Sequence, residues 1–376
     1  MDRMEAEDFS LFGLLGRSWE QDAPVVDIAF DSSSGAVAFA LADGSVAIAK
    51  TKDAEPAAKR IRISAEDGRQ SILPRIKPLP PITRIALQER TPVALTAYGK
   101  HGFVIGDASG ALTSLTIGGE RTPFSKPQGA PIIALDHAPT TGDLACATDD
   151  NRVMLIRGPR TEPEALDTDE PIANLAFSAD GSQLAVACKT HVTVWKIAEK
   201  PEKLGELSPC ERPSCLAWSS DQTKLALGQV EGGVTVWQLD SKEQIILPDY
   251  PAAVHTLAWT TDSETLITSG AFRIIAWPLD QLIANGTHPA SLNTGKPGLA
   301  AVEAIANHPT HPLVAAGYEN GMLIITQIGK SDELVIKPEG QGAVGSIRWS
   351  GDAGYIAVGS SHGLASIIEL PQQLFK

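Results

Sequence analysis

The chain has 376 residues, 43% of them hydrophobic, and a net charge of −14. That is enough apolar material for a large core, yet no run approaches the roughly 20 apolar residues of a membrane helix, so no span is expected. The acidic balance repels phosphate backbones and argues against nucleic-acid binding.

The N-terminus, Met1 to Asp8, is acidic, and the apolar patch from Phe9 to Leu15 is too short for a secretory signal. Leu14 to Gln21 precedes the first of a series of similar units. PVVDIAFDSSSGAVAFALADGSVAIAK (Pro24 to Lys50) is followed by a basic stretch, then by a related segment from Pro81 to Asp107. Pro131 to Arg157 aligns with Pro171 to Ile197 at an offset of 40 residues, with His137 at an aromatic position. Cys215 to Leu239 and Thr256 to Leu279 follow at steps of 41 residues, bringing Phe177, Trp218 and Trp259 into register. Asp180, Asp221 and Asp262 align likewise, as do Leu184, Leu225 and Leu266. Two further units start at Val302 and Val344, which makes eight.

Each unit has one grammar. A short apolar strand leads into a polar Ser/Asp/Gly turn, a second apolar run, a tight turn and a β-branched third strand. The tight turns are Asp43-Gly44, His101-Gly102, Asp150-Asn151, Glu231-Gly232, Asn320-Gly321 and His362-Gly363. Candidate fourth strands are Arg60 to Ser64, Gln244 to Leu247 and Glu333 to Lys337. A period of about 40 residues with four strands per unit predicts propeller blades. The fold class is therefore all-β, a single β-propeller over 1–376 with eight blades, seven being the alternative count.

The pattern resembles the WD40-repeat family. The resemblance is carried by Ser178-Ala179-Asp180-Gly181 and its copies, and by Trp195, Trp237 and Trp277 closing three units. It departs where Lys196, Gln238 and Pro278 replace the Asp of the Trp-Asp pair, and the Gly-His pair is missing. The family's His-Asp-Ser/Thr-Trp hydrogen-bond network cannot form in full, so blades must rely more on apolar packing. The resemblance also implies that the N-terminal segment (1–23) supplies the outer strand that the last unit lacks.

Two inserts break the spacing. The first, residues 52–80, is basic and proline-punctuated. Counted from Lys52 to Arg84 it carries eight basic and four acidic residues, a local +4. It is read as a connection between blades on the upper face, the one bearing the second-to-third turns. It either docks an acidic partner, with Arg69, Arg75 and Lys77 as contacts, or is a solvated linker whose leucines pack back on a blade. The second insert, 280–297, contains DQLIANG, which suggests one or two helical turns, and an idle Asn285-Gly286-Thr287 sequon.

The expected function is a non-catalytic protein-interaction scaffold, a monomer by itself, in the cytoplasm. Sparse cysteines fit a reducing compartment, with Cys146 and Cys188 as core residues and Cys210 and Cys215 spaced for neither a redox motif nor zinc. No cofactor, nucleic acid or membrane is expected. The alternative is a small-ligand or metal-binding propeller, possibly enzymatic, using the upper mouth of the central channel. There His101, His191, Arg273, Glu319 and His362 sit on turns expected to share one face. Gly359-Ser360-Ser361-His362-Gly363 matches a nucleophile pattern but precedes a strand, not the helix that chemistry needs. His308 and His311 are flanked by Pro309 and Pro312, which forbids a helical metal pair.

Overall fold

The computed structural model describes residues 10–371, apart from 67–68, 88–90, 92, 167, 209–211, 249 and 280–288. Eight antiparallel sheets of four strands make eight blades. Taken from the axis outward, the strands are inner, second, third and outer. Blade 1 holds Val25–Phe30, Ala36–Leu41, Val46–Lys50 and Thr83–Ile85, and blade 2 holds Ala94–Ala97, Gly102–Gly106, Leu112–Thr116 and Arg121–Pro123. Blades 3 to 7 begin with the inner strands Ile132–His137, Ile172–Phe177, Pro213–Trp218, Leu257–Trp259 and Val302–Asn307. Blade 8 holds Val344–Trp349, Tyr355–Ser360 and Leu364–Glu369, and takes Gly16–Glu20 as its outer strand. The N-terminal segment thus closes the ring, with Gly16 opposite Ile368 and Glu20 opposite Leu364. No helix among the described residues is long and apolar enough to cross a membrane.

The second strands show why the ring holds. AVAFAL, Ala36–Leu41, is buried along its whole length because both faces of its sheet are covered. Val37, Phe39 and Leu41 pack toward blade 8, against Ala357, Ala365 and Ile367. Ala36, Ala38 and Ala40 meet Val93, Leu95, Phe103 and Ile105 of blade 2. Large side chains on one face and alanines on the other let neighbouring sheets interdigitate. Each fully buried Val, Leu or Phe stabilises the stack by about 1.5–3 kcal/mol. Six inner strands share a bulge after their first residue, as between Val25 and Asp27, and this bends them around the axis.

The repeated Ser-x-Asp turns are built by side chains. The hydroxyls of Ser178, Ser219 and Ser350 donate to Asp180, Asp221 and Asp352 at 2.8, 2.6 and 2.6 Å. The same hydroxyls accept from the N–H groups of Gln183, Lys224 and Tyr355 at 2.9–3.0 Å. The repeated aromatic position joins blades. Trp218, Trp259 and Trp349 donate their indole N–H to the carbonyls of Ala176, Ala217 and Ala306, on the inner strand of the preceding blade, at 2.9, 3.1 and 3.0 Å. This ladder of indole bonds ties inner strands together in a chain whose Trp-Asp pairs are missing. Replacing Trp349 by Phe, the residue at this position in blade 4, removes this bond between blades and leaves the Ala306 carbonyl only its ladder partner Ala315. The expected loss is about 1–2 kcal/mol, read as a lower urea midpoint at unchanged m-value.

Three sequence expectations need correction. Thr83–Ile85 is not the inner strand of blade 2. It pairs with Val46–Ile48 as the outer strand of blade 1, and the inner strand of blade 2 is Ala94–Ala97. Arg84 fixes this placement by bridging Asp22 and Asp43 at 2.7 and 2.5 Å. Arg60 to Ser64 is not an outer strand of blade 1. Ile61–Ile63 pairs with Gln70–Ile72 in a separate two-stranded hairpin. The basic insert therefore lies within blade 1, between its third and outer strands, and is not an upper-face connection between blades. The helical turns and the sequon expected from 280 onward fall on residues outside those described.

Candidate functional site

The insert leaves the lower end of the third strand of blade 1 and climbs over the closing strand. Its base is a buried ion cluster. Arg75 holds Asp53 through two bonds of 2.5 and 2.6 Å, and the Arg17 guanidinium lies 3.8 Å from the same carboxylate. The side chains of Asp53 and Arg17 are only 4% and 3% exposed. Arg17 also donates to the carbonyls of Lys50 and Thr51 at 3.0 and 2.6 Å. The Arg75 bonds hold the Asp53 carboxyl at about 2, against the opposing effect of burial. Burial pulls the Arg17 guanidinium below its ordinary range, and Asp53 opposes that shift.

Further bonds tie the insert down. Glu369 of blade 8 accepts from the N–H of Ala57 at 2.8 Å, at the start of the one-turn helix Ala57–Arg60. Arg60 donates to the Leu73 carbonyl at 2.8 Å, and Glu55 accepts from the N–H groups of Ile76 and Lys77 at 3.1 and 2.7 Å. Trp19 on the closing strand donates to the Pro80 carbonyl at 2.9 Å.

Above this base the insert is apolar and basic. Ile63 and Ile76 are 67% and 89% exposed, with Leu73 and Leu79 also open to solvent. Twelve large hydrophobic residues are this exposed among those described, and four of them fall in this one insert. Single exposed apolar residues scattered over a surface are ordinary, whereas four within one segment form a cluster. Lys59, Arg62 and Lys77 are exposed and make no ion pair among the described residues. Of the three insert residues singled out from sequence, Lys77 and Arg69 lie on this surface, whereas Arg75 is committed to Asp53. The sequence signal for the exposed isoleucines was the proline punctuation, which keeps Ile76 out of any sheet.

The five turn residues do not form one site. His191, Arg273, Glu319 and His362 lie on second-to-third turns of blades 4, 6, 7 and 8, on the upper face. His101 lies on the first-to-second turn of blade 2, on the lower face, where its Nδ1 is 2.9 Å from Ser33 Oγ and 3.5 Å from Asp31. No hydrogen bond or ion pair joins any two of the five. His191 is buried between Asp169 and Glu170 at 3.5 and 3.6 Å, and Arg273 donates to Ser291 at 3.1 Å. His308 is a structural residue. Its Nδ1 accepts from the N–H groups of Thr310 and His311, and its ring meets Trp349 edge to face with centroids 4.5 Å apart.

The convergent polar groups lie instead inside the channel, where the sequence reading did not place them. A cavity of about 1050 Å³ is lined by all eight inner strands and carries Asp27, Asp136, His255, Glu303 and Arg348. Arg348 stands 3.7 Å from Asp27, and Asp136 accepts from the N–H of Phe177 at 2.7 Å. Burial pushes the Asp136 carboxyl up to about 6 and raises Asp27 as well, with Arg348 opposing both shifts. Such a channel can hold water or a small polar molecule. Among the described residues no three His, Cys, Asp or Glu side chains are grouped to share a metal ion.

Eight closed blades joined through their inner strands define the class, an eight-bladed β-propeller. No protein-family profile matches the chain. It is 22% identical over 231 residues to actin-interacting protein 1 of Caenorhabditis elegans, covering 58% of this chain and 36% of that protein. It is 32% identical over 141 residues to WD repeat-containing protein 1 of Gallus gallus, covering 35% and 23%. The matched parts thus span about a third or less of these relatives. Among solved structures it resembles the C-terminal WD40 domain of Sif2, with a TM-score of 0.65 at 14% identity over 95% of this chain and 99% of that one. The computationally designed protein Ika8 superposes with a TM-score of 0.67 at 15% identity over 93% and 98%. The chain shares the fold of WD40 β-propellers and is distantly similar in sequence to WD-repeat proteins.

Proposed function

We propose that the chain is a non-catalytic protein-interaction scaffold of the cytoplasm, and that the insert of blade 1 docks a partner with an acidic surface. The observation that carries this reading is the exposed apolar and basic crest, Ile63, Leu73, Ile76 and Leu79 beside Lys59, Arg62 and Lys77, on a base locked by Asp53. Exposed apolar area supplies affinity, and unpaired cations in a chain of −14 supply orientation toward acidic groups. WD40 propellers typically serve as such scaffolds, and one relative is named for its interaction with actin. The described cysteines support a non-catalytic reading, since burial pushes the thiols of Cys146 and Cys215 up to about 12.

The test is comparative capture. Wild-type protein and the double variant Ile76→Asp, Lys77→Glu are used as baits in cell extract, with partners quantified by mass spectrometry. Both side chains are exposed, so the melting temperature should not move. The reading expects an acidic-surfaced partner to drop by about tenfold or more, the loss typical of a disrupted hot spot. Equal recovery of every partner by both baits would remove the insert as the docking site.

A further inference from the structure

Two strands that stop at two leave their flanks open. The hairpin of Ile61–Ile63 and Gln70–Ile72 forms a sheet of its own, with no third strand among the described residues. Its hydrogen-bond parity can be read directly. Leu73 donates to the Arg60 carbonyl and Ser64 to the Arg69 carbonyl, at 3.0 and 2.9 Å. Arg60–Leu73, Arg62–Ser71 and Ser64–Arg69 are therefore the hydrogen-bonded pairs, and Ile61–Ile72 and Ile63–Gln70 the intervening ones. It follows that Ile63 turns its own N–H and C=O away from the hairpin, toward the open flank.

Side chains alternate along the same strand. Arg62 faces outward and exposed, while Ile61 and Ile63 share the side of Ile72, which packs against the core of blades 7 and 8. Ile63 overhangs that core and remains 67% exposed. A third strand laid along Ile61–Ile63 would present alternate residues to these two sides. Those level with Ile63 would meet an apolar surface, and those level with Arg62 would meet its guanidinium, which holds the carbonyls of Lys59 and Ile61 at 3.2 and 3.1 Å but no carboxylate among the described residues, with Lys59 close by in sequence.

We propose that the insert takes its partner by strand addition, and that the occupant is an extended segment alternating apolar and acidic residues. Main-chain bonds to the Ile63 edge supply affinity, and Arg62 and Lys59 supply the choice of acidic side chains. This rests on the insert being the docking surface, as proposed above.

A fluorescein-labelled peptide of alternating valine and glutamate is titrated into the full chain and followed by fluorescence anisotropy. Saturable binding is expected, and none for the matching valine–lysine peptide. Two variants separate the main chain from the side chain. Ile63→Ala keeps the edge N–H, and Ile63→Pro removes it without touching a bond inside the hairpin. Ile63→Pro should bind at least about fivefold more weakly than Ile63→Ala, the effect of one lost main-chain bond, at equal melting temperature. Arg62→Glu should weaken the glutamate peptide further. Strand addition is overturned if the glutamate peptide does not bind, if the lysine peptide binds equally, or if the two Ile63 variants are indistinguishable. Used as capture baits, the same two variants separate the readings. Equal loss of the acidic partner by both leaves the docking surface standing and removes only the strand pairing.

Discussion

Removing residues 1–22 is expected to lower the unfolding midpoint by on the order of ten degrees and to make the protein self-associate. The segment contributes the whole outer strand of blade 8, paired over five residues with Leu364–Ile368. It buries Leu15 and Arg17, packs Trp19 at the seam between blades 8 and 1, and places Phe12 under the Lys337 ammonium. Two large apolar side chains represent about 2–3 kcal/mol each. Losing Arg17 also strips one partner from the buried Asp53, which adds a few kcal/mol. A protein of this size shifts by roughly 2 °C for each kcal/mol, so the sum reaches about ten degrees. Without its cover the strand Leu364–Glu369, buried over five of six residues, becomes an open apolar edge that invites pairing with another chain. Scanning calorimetry and light scattering read both effects. A midpoint within two degrees of wild type would show that the seam does not hold the ring. A point variant narrows the cause. Gly363 has φ 83°, and a Cβ there would lie 2.2 Å from the Gln21 carbonyl, so Gly363→Val should push the closing strand off its seat with every closing residue still present.

The seam also shows where sequence legibility stopped. Blades 4 to 6 were readable because Asp180, Asp221 and Asp262 cap their own turns and Trp218 and Trp259 fill one repeated slot, and both roles follow from residue type and spacing. The acceptor of each indole, a carbonyl some 42 residues earlier, was not readable because backbone carbonyls carry no sequence identity. Blade 2 was misassigned by one strand. Thr83–Ile85 and Ala94–Ala97 are both short runs that could form strands, and neither ends in an aromatic residue that would mark an inner strand. Placing the insert between blades rather than within blade 1 then moved His101 to the wrong face. The channel charges were missed for a different reason. Asp27 looks like the polar face of an alternating strand, and only closure of the ring turns that face inward.

The basic insert and the ring seam are one structure. Asp53 belongs to the insert, Arg17 to the closing strand and Glu369 to the last blade, so the proposed docking crest and the closure of the propeller share a foundation. Under the proposed docking, a partner gripping the crest would pull on the strand that completes blade 8. Stability of the closure and availability of the crest are therefore linked, and a partner that binds the insert should raise the melting temperature of the whole ring.

Asp53→Asn is expected to destabilise the fold by about 3 kcal/mol at pH 7 and to flatten its acid limb. With the carboxylate gone, Arg17, 3% exposed, keeps two carbonyls but no counter-charge, and Arg75 loses a two-bond partner. Breaking a buried pair on one side usually costs about 3–5 kcal/mol, and the amide oxygen recovers part of that. The pH dependence is specific in sign. The folded-state value of Asp53, about 2, lies below the ordinary 3.8. Between these values the unfolded chain holds more protons, so the stabilisation is fully present above about pH 4 and is lost as pH falls toward 2. A shift of this size corresponds to about 2 kcal/mol. Asp136 acts oppositely. Its value of about 6 means that the folded state holds more protons between 3.8 and 6, so its contribution declines as pH rises through that window. Comparing wild type with Asp53→Asn cancels the Asp136 term. The difference in unfolding free energy, measured by urea titration at several pH values, should be constant from pH 7 to 5 and shrink by about 2 kcal/mol between pH 4 and 2. A difference independent of pH down to 2 would mean that Asp53 holds the insert by packing, not by its charge.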